Sequence, residues 1–119
     1  MGYRKMQVYD KSYKAAIAIY RQTKTFPREE MYGITSQLRR AATSIPLCIA
    51  EGYAKKESQE EFRRFLKMAL GSSDEVQVLL EFSKDLEYME ETTYQKAKKE
   101  YEAISKMLNT LTKKIKSEN

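Results

Sequence analysis

The chain has no histidine, no tryptophan, one cysteine and two prolines among its 119 residues. Without histidine it lacks the side chain that most often binds a metal or moves a proton near neutral pH. Cys48 has no second cysteine to pair with, so no intramolecular disulfide forms and a reducing, cytoplasmic setting is expected. Glycine is scarce, and none of it sits in a phosphate-cradling loop. No uncharged apolar run reaches the ~18 residues of a membrane helix. The basic start, Met1-Gly2-Tyr3-Arg4-Lys5, is not followed by the apolar segment of a secretory signal, and Met6 stands where a myristoylation pattern wants Ser or Thr. No membrane partner is expected. No nucleophile stands beside an evident base, so neither an enzyme nor a cofactor is expected. Glu60, Glu61, Asp74 and Glu75 could face one another as in a carboxylate metal centre of a bundle, but the Glu-x-x-His element of such sites is missing and no metal is expected.

What is present is helical pattern. With 41% hydrophobic and 33% charged residues, the chain can close one core and is expected to form a single domain over 1–119. Tyr94, Ala97, Tyr101, Ile104, Leu108, Leu111 and Ile115 recur at steps of three and four, predicting a helix over 93–115 with a capping box at Thr92 and Gln95. A second capping box, Ser58 to Glu61, opens a stripe of Phe62, Phe65, Leu66, Ala69, Val76, Leu79, Leu80 and Leu86 and predicts a helix over 59–87. Gly71-Ser72-Ser73 interrupts that stripe and reads as a close helix crossing. A helix over 9–25 stops at Pro27, and another over 35–54 presents Leu38, Ala41, Ala42, Ile45, Ile49 and Tyr53. Pro46 lies inside it and predicts a kink or break, because proline donates no hydrogen bond to the carbonyl of Ala42. Short joins make successive helices antiparallel neighbours, giving an all-α, up-down-up-down four-helix bundle with frayed ends at 1–6 and 116–119.

The net charge of +5 is unevenly spread: residues 1–56 carry 11 Lys/Arg against 4 Asp/Glu, whereas 57–119 carry 11 against 13. Such asymmetry suits phosphate binding, and it equally suits the pairing of one protomer's basic half with an acidic partner or another protomer. Arg39-Arg40, Lys55-Lys56 and Arg63-Arg64 with Lys67 are the candidate phosphate contacts. Each can also be a solvated face, Arg64 pairing with Glu60 four residues earlier. Gln37, Arg40, Ser44, Cys48 and Glu51 form a polar stripe on the 35–54 helix. Glu51, between Ala50 and Gly52, is expected to be partly buried and to need a cation from another helix or subunit, since Arg40 is about 16 Å away along the helix. Of the nine tyrosines, most read as boundary residues with the ring packed and the hydroxyl wet; Tyr53, beside Lys55 and Lys56, is the one placed to stack on a base.

The string Gly33-Ile34-Thr35-Ser36-Gln37-Leu38-Arg39-Arg40-Ala41-Ala42-Thr43-Ser44-Ile45-Pro46, continuing through Ile49-Ala50-Glu51-Gly52-Tyr53, resembles the bacterial four-helix-bundle proteins encoded in 23S rRNA intervening sequences. Phe65-Leu66, Ala69-Leu70-Gly71-Ser72 to Glu75, and Val8-Tyr9 through Phe26-Pro27 extend the resemblance over nearly the whole chain. Leu47-Cys48 departs from it, as small polar residues such as Ser-Asn usually stand there. The resemblance implies a ring-like homo-oligomer, a pentamer, and a similar bundle is an accessory protein to reverse transcriptases of diversity-generating retroelements. RNA binding follows from genetic location by association alone. The reading is therefore a non-enzymatic homo-oligomeric bundle that binds nucleic acid, RNA before DNA, through Arg39, Arg40, Lys55, Lys56, Arg63 and Arg64. Gln37, Ser44, Pro46, Glu51, Gly52 and Gly71 are assigned to structure or interface. The alternative is a protein-interaction scaffold or accessory subunit with no nucleic-acid contact.

Overall fold

A computed structural model describes residues 2–115; Met1 and the segment 116–119, expected to fray, lie outside it. Among the described residues there are four α-helices and no strand: α1 (Gln7–Gln22), α2 (Ile34–Ala54), α3 (Gln59–Asp85) and α4 (Glu91–Lys114). The expectation of an all-helical chain holds. None of these helices is long and apolar enough to cross a membrane. At 1.5 Å per residue α3 spans about 40 Å, which accounts for most of the 47 Å long axis.

Local chemistry sets the ends. Ser58 Oγ accepts from the Glu61 amide at 3.2 Å and caps α3. At the other end of α3 the Tyr88 amide donates to Ser83 O (2.8 Å) and the Glu87 amide to Lys84 O (2.9 Å), with Glu87 at φ 65°. That is a Schellman stop with glutamate where glycine is the unstrained choice. The cap expected at Thr92 is different: α4 starts at Glu91, no side chain caps it, and the Gln95 amide donates to Glu91 Oε2 (2.7 Å) one turn along. The expected fraying of 1–6 is also corrected for residues 2–6. Gly2–Lys5 form a 3-10 turn, and Tyr3 packs edge-on against Tyr9 with ring centroids 4.9 Å apart.

The core is filled by Leu38, Ile45, Ile49, Leu66, Leu80, Ile104 and Leu108, all fully buried. α2 continues through Pro46 from Ile34 to Ala54, so no break occurs there. Against α3, α2 lays Gly52: a Cβ at that position would sit 2.8 Å from Phe65 Cβ and 3.2 Å from Phe62 Cδ1. The close crossing read from Gly71-Ser72-Ser73 is made by the two serines and not by the glycine. Gly71 is exposed and a Cβ on it would meet nothing within 4 Å, whereas its two neighbours make the close approach. Ser72 bonds Ser44 of α2, and buried Ser73 donates to Tyr101 O (3.2 Å) while lying 2.8 Å from the Ser105 hydroxyl of α4. Hydroxyls satisfied across the seam let the backbones come close where glycine is not needed.

Candidate nucleic-acid interface

Four chain segments meet at one end of the molecule. Gly2 lies against the Tyr53 ring, which brings the chain start to the end of α2. The turn Lys55–Ser58 leads directly into α3. Arg63 Nε, one turn into α3, donates to Thr112 O (3.2 Å), which ties in the end of α4 with its exposed Lys113 and Lys114. Arg4, Lys5, Lys55, Lys56, Arg63, Arg64, Lys113 and Lys114 therefore share this end with the acidic residues Glu57, Glu60 and Glu61.

The cations there are held in different ways. Lys55 Nζ and the Arg64 guanidinium both lie over the Phe65 ring, at 5.4 and 4.7 Å from its centroid. Lys56 Nζ lies over Tyr53 at 4.2 Å, and Arg4 over Tyr3 at 5.0 Å. A ring face holds an ammonium without neutralising it, so Lys55 and Lys56 remain full charges toward solvent. Arg64 instead makes a bidentate pair with Glu61, at 3.0 and 3.1 Å, rather than the expected pair with Glu60. That hydrogen bond, more than the bare charge, holds the Glu61 carboxyl below its ordinary pKa.

Arg39 and Arg40 belong elsewhere. They precede Lys55 and Lys56 by 16 residues of continuous helix, about 24 Å. Arg39 Nε donates to Thr23 Oγ1 (2.9 Å) beneath the Tyr20 ring, and Arg40 pairs with Glu75 at 2.7 Å. The structure thus brings Lys55, Lys56, Arg63 and Arg64 together and leaves Arg39 and Arg40 apart. Of the polar stripe on α2, Arg40 and Ser44 reach α3, Cys48 is buried, and Gln37 is exposed. The expectation for Glu51 is corrected: its side chain is exposed, and it forms no ion pair among the described residues. Gly52 occupies the buried position beside it, and Glu51 turns 100° away from that contact. Burial, and secondarily the Glu51 charge, raise the Cys48 thiol pKa, so the thiol is an inert core group.

The far end is the electrostatic opposite. The Phe26 and Tyr88 rings meet there at 5.6 Å, and Tyr88 Oη donates to Glu30 Oε2 at 2.8 Å. Around them lie Glu29, Glu30, Asp85, Glu87, Glu90 and Glu91 against Arg28 and Lys84.

The family described as 23S rRNA-intervening sequence protein matches residues 4–110. The chain belongs to that family. A crystal structure similar to it is that of a protein of unknown function from the S23 ribosomal protein family of Bacteroides thetaiotaomicron VPI-5482. The two chains are 28% identical with a TM-score of 0.81, the likeness covering 89% of this chain and 95% of that one. No curated protein matches. In this family member, sequence reasoning found the two basic pairs flanking the α2–α3 turn but missed Arg4, Lys5, Lys113 and Lys114. Their signal was present in the expected up-down order, which would return the start of the first helix and the end of the last to the end where α2 turns into α3.

Proposed function

We propose that this member of the 23S rRNA-intervening sequence family is a non-enzymatic, homo-oligomeric bundle of the cytoplasm that binds nucleic acid, RNA before DNA, with its basic end. The observation that carries the reading is the gathering of cations from four chain segments at one end, where Lys55 and Lys56 lean on ring faces instead of carboxylates. Phosphates would be held by charge with little base readout. Tyr53, beneath Lys56, offers a face on which an unpaired base stacks. Five copies follow the resemblance. The frame is an antiparallel up-down-up-down course with α2 bent rather than broken at Pro46, a course supported by the contacts that join its ends.

Filter retention of mixed RNA and DNA across a salt series tests the reading. Each phosphate contact on a single strand contributes a slope of about 0.7 in log affinity against log salt. Reversing Lys55, Lys56, Lys113 and Lys114 to Glu is expected to remove a slope of about 3 and most of the affinity. No retention at low salt, or an unchanged slope, overturns it. A protein-interaction scaffold is then the reading left, favoured by the ion pairs that occupy Arg40 and Arg64.

A further inference from the structure

Ten large apolar side chains are exposed among the described residues, and eight of them form two patches on different sides of the molecule. One patch is a groove of about 420 Å³ between α1 and α2, floored by Ala16 and Pro46 and edged by Tyr13, Ile17, Tyr20 and Leu47. The other is a ridge on the outer face of α3, where Met68, Val78, Phe82 and Leu86 are each about half exposed. Val78, Phe82 and Leu86 follow one another at steps of four on one stripe, and Met68 lies about 15 Å back along it, past Gly71 and Glu75. Monomeric proteins seldom leave such ordered apolar rows uncovered.

We propose that the ridge of one copy seats in the groove of the next, head to tail. The proposal rests on the homo-oligomeric part of the reading above and names its contact surface. Three observations support it. The lengths agree: Tyr13 to Tyr20 covers about 10 Å of helix and Val78 to Leu86 about 12 Å. The charges agree as well. Arg21 and Lys24 continue the groove's helix and Arg39 lies over Tyr20, and none of the three forms an ion pair with a carboxylate among the described residues. Beside the ridge stand Asp74, Glu81 and Asp85. The levels are close too: Tyr20 lies two residues before the end of α1 and Phe82 three before the end of α3, and the segments that follow these helices meet at the Phe26–Tyr88 pair. Two unlike patches near one level place copies side by side with their long axes aligned, a head-to-tail contact that makes a ring where the rotation between copies closes. A nucleic-acid strand in the groove would leave the ridge uncovered, and Ile17 and Leu47 offer a base no hydrogen bond.

Mass measurement by light scattering tests this, using Phe82→Glu to block the ridge and Leu47→Glu to block the groove. Wild type is expected at a multiple of 14.0 kDa and each variant at that single-chain mass. An equimolar mixture keeps one working ridge and one working groove, so it is expected to form a dimer at twice the 14.0 kDa of one chain. Should either variant lose helicity by circular dichroism, Val78→Lys and Ile17→Lys replace them. A monomeric wild type, variants that keep the wild-type mass, or a mixture that stays monomeric overturns the proposal. Loss of RNA retention by a monomeric Leu47→Glu protein, with Phe82→Glu unaffected, would overturn it in favour of a strand in the groove. The four-lysine reversal at the basic end is expected to leave the mass unchanged, which separates failure here from failure of the nucleic-acid reading.

Discussion

Alanine at Gly52 and at Gly71 should shift stability in opposite directions although both glycines are helical. Away from neighbours, Gly to Ala in a helix gains up to about 1 kcal/mol by reducing the entropy lost on folding. At Gly71 a Cβ meets nothing within 4 Å, so that gain is expected almost in full. At Gly52 the same methyl would sit 2.8 Å from Phe65 Cβ and 3.3 Å from Phe62 O. Both are parts of the chain that cannot swing aside, unlike the tip of a long side chain. Against atoms that cannot move aside, overpacking falls in the upper part of its range, about 2–3 kcal/mol, which exceeds the propensity gain and leaves a net loss of about 1–2 kcal/mol. With a urea slope of roughly 1.5 kcal/mol/M, the unfolding midpoint should fall by about 1 M for Gly52→Ala and rise by about 0.5 M for Gly71→Ala. The measurement belongs in a Phe82→Glu background, because Gly71 shares the outer stripe of α3 with the ridge and subunit contacts would otherwise mix with folding. A neutral or stabilising Gly52→Ala would refute the close α2–α3 approach, and a destabilising Gly71→Ala would refute its open surroundings.

Tyr101 is 1% exposed, its hydroxyl finds no partner, and burial foremost, then Glu100, raises its pKa far above the ordinary phenol range. The unfolded chain loses this proton near pH ~10 while the folded chain keeps it, so stability is intact below that pH and falls above it. Tyr101→Phe should weaken this alkaline loss and stabilise at neutral pH by about 1 kcal/mol; a destabilised variant in thermal melts would mean that the hydroxyl is satisfied. Glu87→Gly relieves the left-handed strain at the end of α3 and is expected to add about 0.5–1 kcal/mol, whereas unchanged stability would count against the Schellman geometry. Ser58→Ala should lose about 1 kcal/mol with the cap it removes, a change read by the same urea titration. Native Cys48 should resist alkylation at mildly alkaline pH and react readily in urea, with Glu51→Gln reacting faster as the charge that adds to its raised pKa is lost; labelling of the native protein at the unfolded rate would contradict its burial.

The helices were legible because their evidence is local. Apolar residues at steps of three and four report which side of each segment faces inward, and Ser58 announces the start of α3 by chemistry completed within one turn. Legibility failed where a local sign has two meanings. Gly71 and Gly52 look alike as small residues inside helical pattern, yet only Gly52 is pressed by a neighbour, a fact settled by rotation about the helix axis and by what packs there. Glu51 failed for the same reason: its sequence neighbours are apolar, but each residue advances 100°, and the buried place falls to Gly52. Thr92 had the letters of a cap, and Glu91 began the helix one residue before it.

The basic end shows why charge counted along the chain misleads. Splitting the sequence near its middle gives a basic first half and a mildly acidic second half, although Lys113 and Lys114 in the second half finish beside Arg63 and Thr112 at the basic end. Glu29 and Glu30, in the first half, finish with Tyr88 at the acidic end. Contacts that bring Gly2 to Tyr53, Arg63 to Thr112 and Tyr88 to Glu30 sort charge by place in the fold rather than by position in the sequence. The segregation along the 47 Å axis therefore has different members from the one counted between the halves. Ridge and groove near one level would carry the same ordering into an assembly. Copies set side by side would present every basic end on one face, where Lys55 and Lys56 of each copy would add to a common field, and every acidic end on the other. Such a face repels itself at low salt unless an anion lies across it, so the ring and a polyanion on its basic face would favour one another through the same charges.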